Sequence, residues 1–138
     1  MYLRQTRELT HQGAMVVLQG AIAKAEEMGV PQCIAIVDTG GNLLAFVRMD
    51  GAKILSQISA TQKAVTAVSS RVPTGGVAQD VEIKLALATA GQLTNLKGGV
   101  PITIDDQVVG AIGVGSGTGQ QDVEVALAGI AALQALMQ

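Results

Sequence analysis

An α+β fold, a largely antiparallel β-sheet flanked by α-helices in the order αββααββα, is predicted by three features of this 138-residue sequence. The first is a pair of short apolar runs, "CIAIVD" and "LLAFVR", separated by the turn signal "TGGN". The second is another such pair, "VPITI" and "VVGAIGVG", separated by Asp105-Asp106. Runs joined this tightly read as hairpins. The third is helical spacing of apolar residues before, between and after the hairpins. Hairpins demand antiparallel pairing, and helices that flank them must bury one face on the sheet. The whole chain, 1–138, is expected to be one domain.

The elements follow in order. Residues 6–29 are predicted as the first helix, with Leu9, Val16, Val17, Ala21, Ala25 and Met28 near helical spacing, Thr6 as N-cap, and Gly29 and Pro31 ending it. After the first hairpin a second helix is expected from Asp50, its N-cap, to about Ser70, stopped by Pro73. Ile54, Ile58, Thr61, Val65 and Val68 form its apparent core stripe. Lys63 sits about 200° from Val65, among Ser56, Ser59, Ala60, Thr66, Ala67 and Ser70, a face too small-sided for ordinary solvent and suited to a ligand or another subunit. "GVAQDVEIKLALATAG" reads as a shorter third helix, and about Gln120 to Met137 as the last. From Val125 to Met137 there is no charge on any face. A helix apolar all round is buried all round, so one side is expected on the sheet and the other against a second subunit.

Composition narrows the function classes. Only 14% of residues are charged, against about 25% in ordinary domains, which again favours a homo-oligomer. One Phe, one Tyr, no Trp and no basic block give nucleic acid neither stacking platforms nor phosphate contacts. No apolar run reaches the roughly 18 unbroken residues of a membrane span. One Cys and one His rule out a structural zinc set and an intrachain disulfide. The N-terminal "MYLRQTRELTHQG" lacks a basic-then-apolar leader pattern, so a cytoplasmic location is expected.

The chemistry-bearing stretch is "GAIGVGSGTGQQDVEVALAGI", with five glycines between Gly110 and Gly119. It is neither G-x-G-x-x-G nor a P-loop: the third glycine falls on Thr118 or Gln120, and no Lys-Ser or Lys-Thr follows. Two readings stay open, a tight structural corner or an anion cradle made by the amides of Ser116 to Gly119 ahead of a helix N-terminus. Asp122 and Glu124 in that first turn suit the helix dipole but oppose an incoming anion. The β face bearing Val109, Ala111, Gly113 and Gly115 is nearly bare, so something approaches that backbone closely. The candidate ligand-binding residues are Arg48, Lys63, Thr66, Gly115, Ser116, Gly117 and Thr118, where Arg48 would grip a carboxylate by its fork or pair with Asp50 or Asp38. Acid–base roles, if there is catalysis, fall to Asp38, Lys63 or Asp122. His11 is the single imidazole and so the one possible axial ligand for a haem iron; Cys33 has no visible link to it.

The stretches "AIVDTGGNLLAFVRMDGA", "QKAVTAVSSRVPT", "GGVPITIDDQVVGAIGVGSG" and "QDVEVALAGIAAL" resemble the GlcG/HbpS-like family, which includes the C-terminal domain of PduO-type proteins. The resemblance covers most of the chain in order. It implies an antiparallel sheet flanked by helices, assembly into dimers or larger oligomers, and association with haem binding or small-molecule catabolism. The "GVSG" usual in the family is "GVGSGTG" here, which alters the loop where a ligand would sit. The expected function is an oligomeric binding protein for haem or another compact anionic small molecule. The alternative is a cofactor-free hydrolase, lyase or isomerase acting on a small organic acid, with the loop amides stabilising developing charge.

Overall fold

Two turns set the topology of the sheet. Asp105 and Asp106 both adopt positive φ (50° and 63°), the backbone of a two-residue hairpin turn that matches strand twist. In the other turn the Asp38 carboxylate accepts hydrogen bonds from the amides of Gly40 and Asn42, at 3.0 and 2.9 Å. The computed structural model, which describes residues 1–138, accordingly contains α1 (His11–Met28), β1 (Cys33–Val37), β2 (Leu43–Arg48), α2 (Ser56–Ser70), α3 (Gln79–Ala88), β3 (Gly99–Ile104), β4 (Gln107–Gly115) and α4 (Gly119–Leu136). The predicted order and class are those observed. The four strands run β2-β1-β4-β3, and every pairing is antiparallel because β1 also pairs with β4.

Helices cover both faces. On one, Ile34, Ile36, Ile102, Ile112 and Val114 pack beneath α1 and α4 in the larger core cluster. On the other, Cys33, Ala35, Val37 and Ala111 lie under Ala60, Ala64, Ala67 and Val68 of α2. Large aliphatics on one side and alanines on the other reflect two spacings: α2 comes much closer to the sheet than α1 and α4 do. A Cβ placed on Gly113 would run into the Ala60 carbonyl oxygen and come within 2.5 Å of the Ala64 amide. The bare face of β4 is therefore occupied by the chain's own second helix.

That close approach inverts the predicted orientation of α2. Ile54 and Ile58, expected in the core, are 70% and 57% exposed, whereas Ser56, Ala60, Lys63, Ala64, Thr66 and Ala67 are buried. The glycine-lined sheet favours small side chains, so the small face turns inward and Ile54 and Ile58 point out, while Val68 of the predicted stripe is buried and Val65 is partly buried against the same cluster. Val109 also departs from expectation. The register shifts between Ile102 and Thr103, and Val109 joins the α1/α4 cluster, not the face of Ala111 and Gly113. A bulge of this kind moves every later side chain by one position.

Helix boundaries differ for local reasons. The N-cap of α1 is Thr10, whose hydroxyl accepts from the Gly13 amide, and not Thr6. Leu9 is held extended because its amide donates to the Val109 carbonyl at 3.0 Å. Nor does Asp50 cap α2: residues 50–55 form turns and the helix starts at Ser56 without a side-chain cap. The helix α3 is shorter than its predicted stretch and has no buried residue. The predicted burial of α4 on all sides does not occur within the chain: beyond the sheet it packs on α1 of the same chain, and its remaining face is exposed. At the α1 contact a Cβ on Gly20 would contact Ala132, and one on Gly129 would come within 2.7 Å of the Val17 carbonyl. Leu127 and Leu136 remain 52% and 71% exposed.

Candidate functional site

One end of the sheet carries a polar cleft. It forms where β4 ends at Gly115, where α4 begins at Gly119, and where the segment before β3 returns beside them. The cleft has a volume of about 240 Å³ and is lined by Lys53, Ser56, Ser59, Lys63, Leu96, Lys97, Ser116, Gly117, Gly119 and Asp122. Only one of these ten is hydrophobic, so water or a polar ligand is its natural occupant.

Its floor is a buried ion pair. The Lys63 ammonium donates to the Asp122 carboxylate at 3.0 Å and to the Val114 carbonyl at 2.8 Å, with the two side chains only 6% and 3% exposed. Asp122 also accepts from the Gly117 amide at 3.0 Å. Burial pushes the Asp122 carboxyl above its ordinary value. The Lys63 charge, the Lys63 and Gly117 hydrogen bonds and the adjacent Gln32 amide oppose that rise. Gln32 is fully buried, and although its amide lies against this carboxylate, neither its nitrogen nor its oxygen reaches good hydrogen-bond geometry. An ammonium and a carboxylate in contact are chemically able to exchange a proton, and Asp122 is the better acceptor for its raised basicity.

The walls are cationic. Lys53 and Lys97 are exposed, and the chain's three ion pairs, Arg7–Asp105, Lys24–Glu27 and Lys63–Asp122, include neither. Ser116 has φ 99°, a conformation that is uncommon for any residue but glycine. It is held by its hydroxyl, which accepts from the Lys53 amide at 2.9 Å. Thr118 caps α4 in a capping box with Gln121, and the Gly117 and Thr118 amides, expected from the sequence to cradle an anion, are already spent on the Asp122 carboxylate and the Gln121 side chain at 3.0 and 2.9 Å.

The sequence-predicted residues divide between this site and others. Lys63, Ser116, Gly117 and Asp122 come together in the cleft. Gly115 lies under α2, where a Cβ would sit 3.1 Å from the Ser59 hydroxyl, and Thr118 serves as the cap. Thr66 is spent on structure, donating to the Gln92 carbonyl and accepting from the Thr94 amide. Arg48 pairs in register with Cys33, which pairs with Gly115 on its other side. Even so, Arg48 is exposed, makes no ion pair with Asp50 or Asp38, and borders a different concavity with Glu26 and Val47. A three-way site of Arg48, Lys63 and the loop does not form within the chain. Asp38 is held in its turn and His11 opens α1, both at the opposite end of the sheet from the cleft. The Cys33 thiol is buried and pushed up by burial, partly offset by Arg48.

Sequence reasoning missed Lys53 and Lys97. A signal for Lys97 existed in the adjacent Gly98-Gly99: a Cβ on Gly98 would come within 3.1 Å of the Lys63 ammonium. A glycine pair opening a strand marks close approach, and its charged neighbour is then carried to the same place.

Fold and cleft together define a class, a small α+β protein with a cationic cleft at one end of an antiparallel sheet. The chain belongs to the HbpS-like family: residues 9–131 match the family described as haem degrading protein HbpS-like. It is similar to protein GlcG of Escherichia coli (strain K12), 38% identical over 107 residues that span 77% of this chain and 80% of GlcG. Among solved structures, a double mutant of Streptomyces reticuli HbpS aligns with a TM-score of 0.84 and 36% identity, over 95% of this chain and 90% of that one. The PduOC–haem complex aligns with a TM-score of 0.83 and 27% identity, over 91% and 94%. No helix of the chain is long and apolar enough to cross a membrane, and no group of three or more His, Cys, Asp or Glu is placed to hold a metal ion.

Proposed function

We propose that this protein binds a compact anionic small molecule in the cleft between α2 and the N-terminus of α4. The observation that carries this reading is the convergence of two unpaired lysines on a polar cavity floored by Lys63. Isothermal titration of the full chain with small organic acids tests it. Lys97→Met is expected to weaken binding about tenfold, the scale of one charge-assisted contact at a solvated site. No binding of any small organic acid or phosphate at millimolar concentration would overturn it. Turnover of the ligand, with Lys63 and Asp122 exchanging a proton, is the alternative use of the same cleft. Proton NMR of an organic acid incubated with the protein separates turnover from binding.

Haem is a second reading, supported by the family and by the PduOC–haem complex. His11, Met15 and Gln19 are spaced four apart on one stripe of α1. Met15 and Gln19 border an apolar groove of about 520 Å³ with Val16, Gly20, Ala132 and Leu136. His11 lies one turn before Met15 and outside the groove's lining; its imidazole is one of the donor types that hold haem iron, and the iron would supply redox chemistry when bound. Adding haemin to the protein is then expected to give a sharp Soret band that His11→Ala shifts or abolishes and Lys97→Met leaves in place. The reverse pattern would move haem to the lysine cleft, and no response to either variant would leave the histidine a bystander.

The protein is further proposed to work as a homo-oligomer. Ile83 and Leu87 of α3 are 67% and 77% exposed, and Ile54, Leu55 and Ile58 face outward from the start of α2. Light scattering is expected to give at least a dimer, which Ile58→Glu weakens. Ala128 and Ala132 are unsuitable probes, because they lie half-buried against α1.

A further inference from the structure

We infer that the ligand of the cleft is a short dicarboxylate, bound with one carboxylate at each end of the Ser116–Gly119 segment. The inference rests on the anion-binding reading above and adds the number, spacing and kind of its charges.

The charge count comes first. Lys63 and Asp122 neutralise each other on the floor, so two uncompensated ammonium groups remain, those of Lys53 and Lys97. Their backbones flank opposite ends of the segment. The Lys53 backbone is tied to the Ser116 hydroxyl, while the Lys97 stem lies along Gly119, where a Cβ would come 3.1 Å from Lys97 Cβ. Two separated positive poles match two separated negative groups.

Donors without partners lie along the path between them. Ser56 is 92% buried, since only 8% of its surface is exposed, yet its hydroxyl lines the cleft and makes no hydrogen bond within the chain. That hydroxyl is not among the chain's sealed, unpartnered polar atoms, which belong to Gln32 alone, so it is open to the cleft and available to a ligand. Ser116 accepts one bond and keeps its proton free to donate. Each pole thus has an ammonium, and the wall between them has hydroxyl donors of the kind that carboxylate oxygens accept.

Size bounds the part of a ligand that the cleft can surround. About 240 Å³ corresponds to roughly eight water volumes at about 30 Å³ each. That is room for a diacid of about four or five carbons, and far too little for a macrocycle.

Calorimetric titration of the full chain with a homologous series decides the matter: oxalate, malonate, succinate, glutarate and adipate, with butyrate and inorganic phosphate as comparators. The expected result is a maximum at succinate or glutarate, at least tenfold tighter than butyrate or phosphate, and weakened by added salt. Lys53→Met and Lys97→Met should each reduce succinate to near the affinity of butyrate, with little effect on butyrate from at least one of them. Both lysines are exposed and free of ion pairs, so the variants are expected to fold, which circular dichroism verifies. Ser56→Ala reads the buried hydroxyl separately and should weaken the best diacid several-fold. Equal binding of butyrate and succinate, preference for phosphate, or no dependence on chain length would overturn the dicarboxylate assignment while leaving an anion site. Absence of binding by every anion in the panel would overturn the underlying reading as well.

Discussion

Gly113→Ala is expected to lower the unfolding free energy by about 3 kcal/mol, the upper range for overpacking a close-fitted interior. The added methyl would occupy the place of the Ala60 carbonyl oxygen and crowd the Ala64 amide. Neither is the movable tip of a side chain; both are backbone of α2, so the whole helix must be displaced from the sheet. Because α2 carries Ser56 and Lys63, that displacement also opens the cleft. The matched control is Gly76→Ala, where a Cβ meets nothing within 4 Å and φ is not in the left-handed region. It is expected to be nearly neutral. Urea unfolding followed by far-ultraviolet circular dichroism measures both. A Gly113→Ala protein within about 0.5 kcal/mol of the parent would disprove the close approach, since that is the scatter of ordinary surface substitutions.

Breaking the buried ion pair should have the largest effect. Lys63→Met leaves the Asp122 carboxylate buried and unpaired, a change that costs about 3–5 kcal/mol. The orientation predicted for α2 would have made the same substitution harmless to folding; burial of Lys63 reverses that expectation. The loss has a definite pH dependence. The folded Asp122 carboxyl already lies above its ordinary value through burial. Such a group favours the folded state most below its unfolded pKa and loses that contribution as pH rises through the folded one. Removing the Lys63 charge raises the folded value further. The deficit of Lys63→Met against the parent is therefore largest at neutral pH and shrinks on acidification, when Asp122 takes up a proton. Replacing both partners, Lys63→Met with Asp122→Leu, is expected to recover most of the loss, because no charge is left stranded. A deficit that stayed constant from neutral to acidic pH, or a double variant no better than Lys63→Met alone, would show that the pair does not act as described.

Much of the fold was legible in one dimension because its causes are local. Hairpins announce themselves through turn residues: "TGGN" and Asp105-Asp106 sit between apolar runs, and backbone geometry allows few other outcomes. The helix stops at Gly29 and before Pro73 have the same origin. Helix beginnings were less legible. Thr6 and Asp50 are sound capping residues, yet Leu9 is drawn into a bond with Val109, a partner a hundred positions away. For the site, the sequence supplied Lys63, Ser116, Gly117 and Asp122 as chemically suited residues, and it grouped Lys63 with Arg48, which within the chain borders a different concavity.

What the sequence determined by itself is the αββααββα order, the antiparallel sheet and a β4 face bare enough to demand a close neighbour. Tertiary structure alone decided which neighbour that is and which way it turns. Apolar periodicity assigned Ile54 and Ile58 to the core because it weighs hydrophobicity and not the room available. A glycine-lined strand favours serines and alanines, so α2 turns its small face inward and takes Lys63 with it. The buried ammonium then needs a counter-charge, and Asp122 is the carboxylate in reach. Once those two are paired, Lys53 and Lys97 remain as the free charges of the cleft. Their importance follows from this cancellation in space, which no pattern along the chain records.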